Sequence, residues 1–304
     1  MHIPKIIQVL FSPKRFLLYL LKISANIWPD KIYLKIKYRL MMGKPLNLKE
    51  PKTFNEKLQW LKLYNRLPEY TTMVDKYAVK EFVASKIGNE YIIPTLGVWD
   101  TPEDIEWEKL PNQFVLKTTH GGGGCGVVIC KDKSSFDIHM AKKELQKSLD
   151  SDLYLIFREW PYKGVKKRII AEKYMSDGGC ELEDYKVHNF NGVPKVILVC
   201  RERFKDTPLV EDFYSDNWEM LDIKRPGHPN SPEPMACPEK LKEMLELSQR
   251  LSKDIPFLRT DFYTIENRIY FGELTFYPAA GMVPFEPNIW DEIMGNWIKL
   301  PLGG

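Results

Sequence analysis

The stretch that carries most chemistry is His120-Gly121-Gly122-Gly123-Gly124-Cys125-Gly126. Gly121, Gly123 and Gly126 satisfy a G-x-G-x-x-G spacing, but that pattern cradles a pyrophosphate only where a helix N-terminus follows it. Here Val127-Val128-Ile129-Cys130 follows and Phe114-Val115-Leu116-Lys117 precedes, both β-branched or apolar runs that predict strands. The glycines therefore sit at a hairpin tip. Four consecutive glycines are entropically costly to order, and their exposed N–H groups can close over phosphates as a nest of donors. A loop that closes on a ligand is the stronger expectation than a bare turn.

The same residues imitate the kinase pattern G-x-G-x-x-G-x-V, with Val128 in the last place. A kinase also needs H-R-D with a downstream Asn and a D-F-G; neither is present, and Asp261-Phe262-Tyr263 is the nearest approach. Asp150-Ser151-Asp152 is a D-x-D, the mark of a glycosyltransferase, yet it follows a charged helical stretch and not a strand. Five cysteines (Cys125, Cys130, Cys180, Cys200, Cys237) with no C-x-x-C pair exclude a zinc knuckle and a disulfide framework.

The elements that must position these residues can be read from periodicity. Residues 14–42 carry a helical pattern broken at Pro29, and Pro51-Lys52-Thr53-Phe54-Asn55-Glu56-Lys57 opens a further helix capped by Thr53 or Asn55. A helix is predicted over 75–87, closed by Gly88, with more at 138–150 and 238–253. Strands are predicted at Tyr91–Pro94, Gly97–Trp99, Arg168–Met175, Tyr185–Phe190 and Lys195–Val199, then Phe262–Ile265 and Arg268–Phe271 about a Glu266-Asn267 turn. The proline-rich 222–238 segment reads as a rigid surface loop.

With 304 residues, 44% hydrophobic and 28% charged, the chain is large enough for two or three compact units and is neither disordered nor membrane-embedded. The net charge of +3 hides an asymmetry: residues 1–41 hold eight Lys or Arg against Asp30 alone, leaving 36 basic against 40 acidic residues in the other 263. A cationic arm of this kind approaches anionic membrane surfaces or acidic polymers. Phe16–Leu21 is too short for a spanning helix or a signal-peptide core. The expectation is a cytoplasmic protein with peripheral contact at the inner face of the cell membrane through its basic N-terminus.

Asp75-Lys76, Phe114–Lys117 before the glycine hairpin, Ala171–Met175, Asp184–Val187, Arg259-Thr260-Asp261 and Glu273-Leu274-Thr275 form an ordered series that resembles the ATP-grasp superfamily. The likeness is closest to its TupA-like branch, associated with teichuronopeptide and other bacterial surface polysaccharides. Pro51–Trp60 and Phe271–Pro278 are especially similar to that branch, and the likeness runs from about residue 40 to 300. It implies an α+β, ATP-grasp-like fold with a nucleotide held between two β-layers. The expected organisation is a basic helical extension (1–50), an N-terminal α/β region (51–113), a glycine-loop subdomain (114–180) and a C-terminal subdomain with a metal site (181–304).

The resemblance also implies roles. Gly121, Gly122, Gly123 and Gly124 would cover the phosphates of ATP, with Lys76 and Lys117 contacting their oxygens; Glu172, Lys173 and Met175 would form the adenine hinge, and Asp184 would bind ribose. Lys186, on the same strand face as Asp184, and Arg259 would serve the reacting phosphoryl group. Asp261, Glu273 and Thr275 would hold Mg²⁺, which needs only one or two carboxylates besides phosphate; Thr275 stands where many ATP-grasp enzymes have Asn. Pro278-Ala279-Ala280-Gly281 resembles a closing loop near the acceptor, and His120 is a turn histidine or a phosphate contact.

The activity implied is ATP- and Mg²⁺-dependent carboxylate–amine ligation through an acyl-phosphate, joining an amino acid to an acidic saccharide or a lipid-linked glycan, with no nucleic acid involved. Arg158, Lys163, Lys166, Lys167, Arg201 and Arg203 are basic residues that could attract such an anion. A glycan phosphotransferase on the same scaffold, a glycosyltransferase and a non-catalytic polymer-binding module are the alternatives.

Overall fold

The computed structural model describes residues 12–176, 183–201 and 209–301; Lys5, Cys180 and Arg203 lie outside them. Ser12 caps α1 (Pro13–Ile23) through a 3.4 Å bond from the Arg15 N–H, and Pro13 is pre-set for the first turn. Pro29 separates it from α2 (Asp30–Met42), which ends on Gly43 at φ 72°. Only part of this basic arm faces solvent. Arg158 is buried, and its guanidinium bonds the carbonyls of Leu155 at 2.8 Å, Ala25 at 2.5 Å and Trp28 at 3.1 Å. Lys37 donates to the carbonyl of Ile156, which also accepts from the Tyr33 hydroxyl at 2.9 Å. Arg158 is thus no anion-attracting surface residue: it ties the extension to the loop before Glu159.

Thr53, not Asn55, caps α3 (Phe54–Tyr64), in a capping box with Glu56. Asn55 instead donates its backbone N–H and Nδ2 to Asp291, both at 2.9 Å, joining α3 to the last helix, whose range is Ile289–Trp297. Next come α4 (Glu69–Val74) and α5 (Val79–Ile87). Of the helix expected from residue 75, Asp75 is the cap: its carboxylate accepts the N–H groups of Tyr77 at 2.8 Å and Ala78 at 3.1 Å over a leading turn, and the regular helix starts at Val79. Tyr91–Pro94 is no strand either; a 3₁₀ turn over Asn89–Tyr91 precedes β1 (Thr95–Trp99).

The first sheet contains β1, β2 (Phe114–Thr118), β3 (Val127–Cys130) and β4 (Ile169–Lys173), antiparallel in the order β1-β4-β2-β3. Strand β4 is shorter than expected, so Met175 lies beyond its end. α6 (Ile138–Leu149) covers the sheet with Leu145 and Leu149 against Phe114, Leu116 and Ile169. After α7 (Leu153–Phe157), Arg158 adopts φ 56°.

The second sheet contains β5 (Glu183–Phe190), β6 (Val193–Arg201), β7 (Val210–Ser215), β8 (Met220–Leu221), β9 (Phe257–Ile265) and β10 (Arg268–Thr275), in the order β10-β9-β5-β6-β7-β8. Sequence patterning did not anticipate β7 and β8. Between β8 and β9, α8 (Leu241–Ser252) packs on one face, where Ser248 bonds Asn189 at 2.8 Å and Thr260 at 2.5 Å. Alternation then sends Asp184, Lys186 and Arg259, Asp261 to the opposite face. β9 and β10 join through Glu266 and Asn267 at φ 49° and 59°, a two-residue turn matched to strand twist.

Beyond β10, Ala279, Ala280 and Gly281 all have positive φ, at 48°, 56° and 59°, a strained run for alanine. α3 holds it: Gln59 Nε2 donates to the carbonyls of Ala280 at 3.1 Å and Gly281 at 2.8 Å, and Lys62 Nζ to Ala280 at 2.8 Å. A Cβ at Gly281 would lie 2.6 Å from Gln59 Nε2 and 2.9 Å from Leu58 Cβ. Gly281→Ala is therefore expected to destabilise the protein by on the order of 2 kcal/mol, read as a lower urea midpoint; an unchanged midpoint would show that this loop is not clamped.

Candidate functional site

On the face of the second sheet turned away from α8, the ladder and Lys76 bring six charged side chains together. Lys186 pairs in register with Asp261, and Asp261 with Glu273. Lys186 Nζ lies 2.7 Å from both Asp184 and Asp261. Arg259 grips Asp261 with Nε and Nη2, each at 2.7 Å, and its Nη2 reaches Glu273 at 2.9 Å. Lys76 Nζ closes the row on Glu273 at 2.8 Å, and the Thr275 hydroxyl donates to the same carboxylate at 3.4 Å. Three cations and three carboxylates form one continuous network. Burial alone would lower the Lys186 ammonium, but Asp261 and Asp184 outweigh it and the shift is upward. Burial likewise opposes ionisation of Glu273, yet Lys76 and Arg259 hold its carboxyl well below the ordinary value.

A second cluster lies on the first sheet. Glu172 on β4 faces Lys117 on β2 and Lys80 on α5, both at 2.5 Å. Burial pushes its carboxyl upward, and Lys117 and Lys80 overcome that to hold it below the ordinary value. Lys80 was missed in the sequence although it stands one helical turn after Lys76, a spacing that places both near one face. Lys173 is exposed, with its N–H on the Pro94 carbonyl at 3.0 Å, and Met175 is half-buried.

The Asp75–Ala78 turn links the clusters. The Lys76 N–H donates to the Thr119 carbonyl at 2.9 Å, at the stem of the glycine loop, while its ammonium lands on β10. Arg168 reinforces the stem, pairing with Asp75 at 3.0 Å, accepting from the Thr119 N–H at 2.9 Å and donating its own N–H to the Thr119 hydroxyl at 3.0 Å.

The glycine loop is the tip of the β2–β3 hairpin. Gly123, Gly124 and Gly126 have φ of 61°, 80° and 73°, and at Gly123 and Gly124 a Cβ would meet nothing. Backbone conformation, not crowding, requires glycine at that exposed tip. Gly121 differs, since a Cβ there would lie 2.5 Å from the Cys125 carbonyl oxygen; Gly122 is half-buried. His120 is buried, its Nε2 3.0 Å from the Ser148 carbonyl, and burial lowers its pKa. It is a neutral anchor of the loop to α6.

Other candidates disperse. Asp150 ends α6 and Asp152 caps α7 through the Leu155 N–H at 2.9 Å, so the D-x-D is a pair of helix caps. Lys167 satisfies the carbonyls of Leu149 and Ser151 at 2.8 and 2.6 Å; Lys166 pairs with Asp100, and Arg201 with Asp212. Lys163 lies over the Tyr154 ring at 5.1 Å. Among the described residues no group of three or more His, Cys, Asp or Glu side chains is arranged to hold a metal. Sequence reasoning also missed Glu159, which lies close to this site. Burial pushes its carboxyl upward against the pull of Lys62, Lys37 and Arg259.

A sequence model of the TupA-like ATP-grasp family matches residues 56–299, a span that includes both charge clusters and the glycine loop and begins after α1 and α2. No curated protein matches the chain. Solved structures similar to it include an ATP complex of D-alanine–D-alanine ligase from Bacillus anthracis, at 16% identity over 75% of this chain and 65% of that one, with a TM-score of 0.44. The D-alanine–D-alanine ligase of Helicobacter pylori is 19% identical over 82% and 69%, with a TM-score of 0.41. The biotin carboxylase domain of Hydrogenobacter thermophilus 2-oxoglutarate carboxylase is 17% identical over 76% and 47%, with a TM-score of 0.42. The chain thus spans just under two thirds of the Bacillus anthracis ligase. On the sequence match, and with its helices and two antiparallel sheets forming an ATP-grasp fold, the chain belongs to the TupA-like ATP-grasp family.

Proposed function

We propose that this protein is an ATP- and Mg²⁺-dependent carboxylate–amine ligase that attaches an amino acid to an acidic surface polysaccharide or its precursor. One observation carries the reading: Lys76, Lys186 and Arg259, far apart in the chain, meet Asp184, Asp261 and Glu273 on one sheet face, tied through Lys76 to the glycine hairpin. Such a cluster fits a polyanion whose charge is redistributed during reaction.

The donor set fits Mg²⁺. Asp261 and Glu273 are cross-strand neighbours sharing Arg259, and two hard carboxylates with phosphate suit an ion that keeps much of its shell as water. Bound there, with Thr275 beside Glu273, the ion would supply charge neutralisation on the phosphates. The chain's own residues do the rest. Lys117, Lys76 and the Gly121–Gly124 loop hold the triphosphate, Glu172 to Met175 and Asp184 hold the nucleoside, and Lys186 and Arg259 steady the transferring group. A substrate carboxylate oxygen attacks the γ-phosphorus and ADP leaves. An amine then attacks the acyl carbon, losing a proton as phosphate departs with the C–O electrons.

Mg-ATP supplied with pairs of uronic acids and amino acids should give ADP, phosphate and an amide only when both partners are present; a phosphorylated sugar would replace this reading with a phosphotransferase. Lys186→Met should lower kcat by on the order of 10²-fold or more with the fold intact by circular dichroism.

Glu172 yields a pH prediction. Its folded carboxyl lies below the ordinary 4.5, so its stabilisation is full above that value and is lost as pH falls through the lower folded one. Glu172→Gln should cost about 3 kcal/mol at pH 7 by leaving Lys117 and Lys80 unpaired. The variant should also lack part of the wild-type acid limb in melts between pH 5 and pH 2; parallel limbs would refute the assignment.

We also place the protein at an anionic membrane surface. No helix among the described residues is long and apolar enough to cross a membrane, but α1 exposes Phe16, Leu17, Tyr19 and Ile23 beside Lys14, Arg15 and Lys22. Vesicles containing phosphatidylglycerol should sediment the protein and neutral vesicles should not, and Leu17→Glu with Ile23→Glu should abolish the difference.

A further inference from the structure

An open groove of about 500 Å³ runs between α2 and α3, and none of its lining residues belongs to the two charge clusters or the glycine loop. Its size falls in the roughly 300–1,000 Å³ range of small-ligand sites. One wall is cationic: Lys31 and Lys35 stand one turn apart on α2, both exposed. The other is aromatic: Trp60 and Tyr64 stand one turn apart on α3, with ring centroids 5.0 Å apart and planes tilted by 51°. Residues 46–49 close the groove. Leu46 and Leu48 are buried with Leu34 and Tyr38, and the alternate residues Asn47 and Lys49 are exposed.

The walls are fixed, but their polar groups are uncommitted. Asn47 Oδ1 accepts the N–H groups of Lys49 at 3.1 Å and Glu50 at 3.0 Å, which orients the amide and leaves Nδ2 to donate elsewhere. Trp60 is half-buried against Leu34, Tyr38 and their neighbours. Among the described residues its indole N–H, the Tyr64 hydroxyl and the ammoniums of Lys31, Lys35 and Lys49 have no hydrogen-bond or ion-pair partner, and no Asp or Glu lines the groove. A ligand there meets three unpaired positive charges, two apolar ring faces and several hydrogen-bonding groups within one site. An acidic sugar answers all three, since each ring carries a C–H face, hydroxyls and a carboxylate.

We propose that this groove binds an acidic oligosaccharide, with the C–H faces of its rings on Trp60 and Tyr64 and its uronate carboxylates on Lys31, Lys35 and Lys49. The site is separate from the nucleotide site and does not depend on the ligase reading. Two other polyanions fit less well. A flat lipid surface does not reach an indole half-buried between two helices. A single-stranded nucleic acid calls for a cationic track along several nucleotides, whereas beyond the first 41 residues the chain holds 36 basic against 40 acidic residues. A glycan polymer held here keeps its remaining length near the body of the protein at a raised effective concentration.

Binding to the full-length protein without nucleotide tests this. Tetragalacturonate, a hyaluronan tetrasaccharide, neutral maltotetraose and tetrathymidylate are titrated calorimetrically at low and at high salt. At least one acidic tetrasaccharide should bind about tenfold or more tightly than both maltotetraose and tetrathymidylate, and should weaken as salt rises. Lys31→Gln with Lys35→Gln should cost that ligand about tenfold without a matching loss for maltotetraose, and Tyr64→Ser should weaken it as well. Lys49→Glu, on a separate segment, repeats the charge test should the double variant fold poorly. None of these should move the affinity for a non-hydrolysable ATP analogue. Tighter binding of tetrathymidylate, no preference for acidic over neutral sugar, no binding of either acidic sugar, a parallel loss of analogue affinity, or unchanged affinity in every folded variant would overturn the assignment.

Discussion

One lysine holds the two sheets in a working relation. The Lys76 backbone N–H is fixed to Thr119 at the root of the glycine hairpin, while its ammonium is fixed to Glu273 on β10. A four-carbon stem anchored at both ends sets how far the hairpin can stand from the carboxylates. The Asp75 turn makes this span available, because Lys76 follows the capping residue directly, where a backbone N–H has no intrahelical acceptor and is free for Thr119. Arg168 supports the arrangement from the far side by pinning Asp75 at 3.0 Å. Small shifts at the hairpin stem are therefore felt at the charge cluster, and the reverse.

The cluster is an expensive way to stabilise a protein. Lys186 and Asp261 are buried, and paired charges in such surroundings roughly offset their own desolvation and add little beyond that. What the network supplies is orientation. Each cation is held by a carboxylate before any ligand arrives, so reorganisation on binding is confined to exchanging partners. The opposite face of the sheet carries the stabilising load, with Val187 and Leu258 in the core and α8 packed over β5 and β9.

Strand alternation made much of this legible in advance. Asp184 and Lys186 differ by two residues on one strand, Arg259 and Asp261 by two on another, and the Glu266-Asn267 turn fixes β9 against β10. The glycine hairpin followed from the β-branched runs around it. What resisted reading depended on contacts between distant segments. The Asp75 side chain caps the turn that leads into α5, in a position that Arg168 supports from 93 positions away. Lys80 sits in an ordinary helical pattern, and only the approach of β4 reveals its carboxylate partner. Lys31 and Lys35 lie on one helix and Trp60 and Tyr64 on another, so nothing local marked the groove they share.

Counting charge by segment misled in a specific way. The N-terminal arm counts eight basic residues against Asp30, yet Lys37 is buried against a backbone carbonyl of the α7 segment, and the arm in turn accepts the Arg158 guanidinium on its own carbonyls. Lys62 from α3 reaches the next carbonyl, Phe157, at 3.0 Å. The carbonyls at the end of α7 have no intrahelical partners and attract ammonium and guanidinium groups without any carboxylate; here they take Lys37 from α2, Lys62 from α3 and the adjoining Arg158. Glu159 follows directly, so the extension and the family-matched body jointly fix where that carboxylate stands. The arm is thus two surfaces on one pair of helices: α2 turns Tyr33 and Lys37 inward to brace the site, while α1 leaves its apolar and basic side chains to solvent.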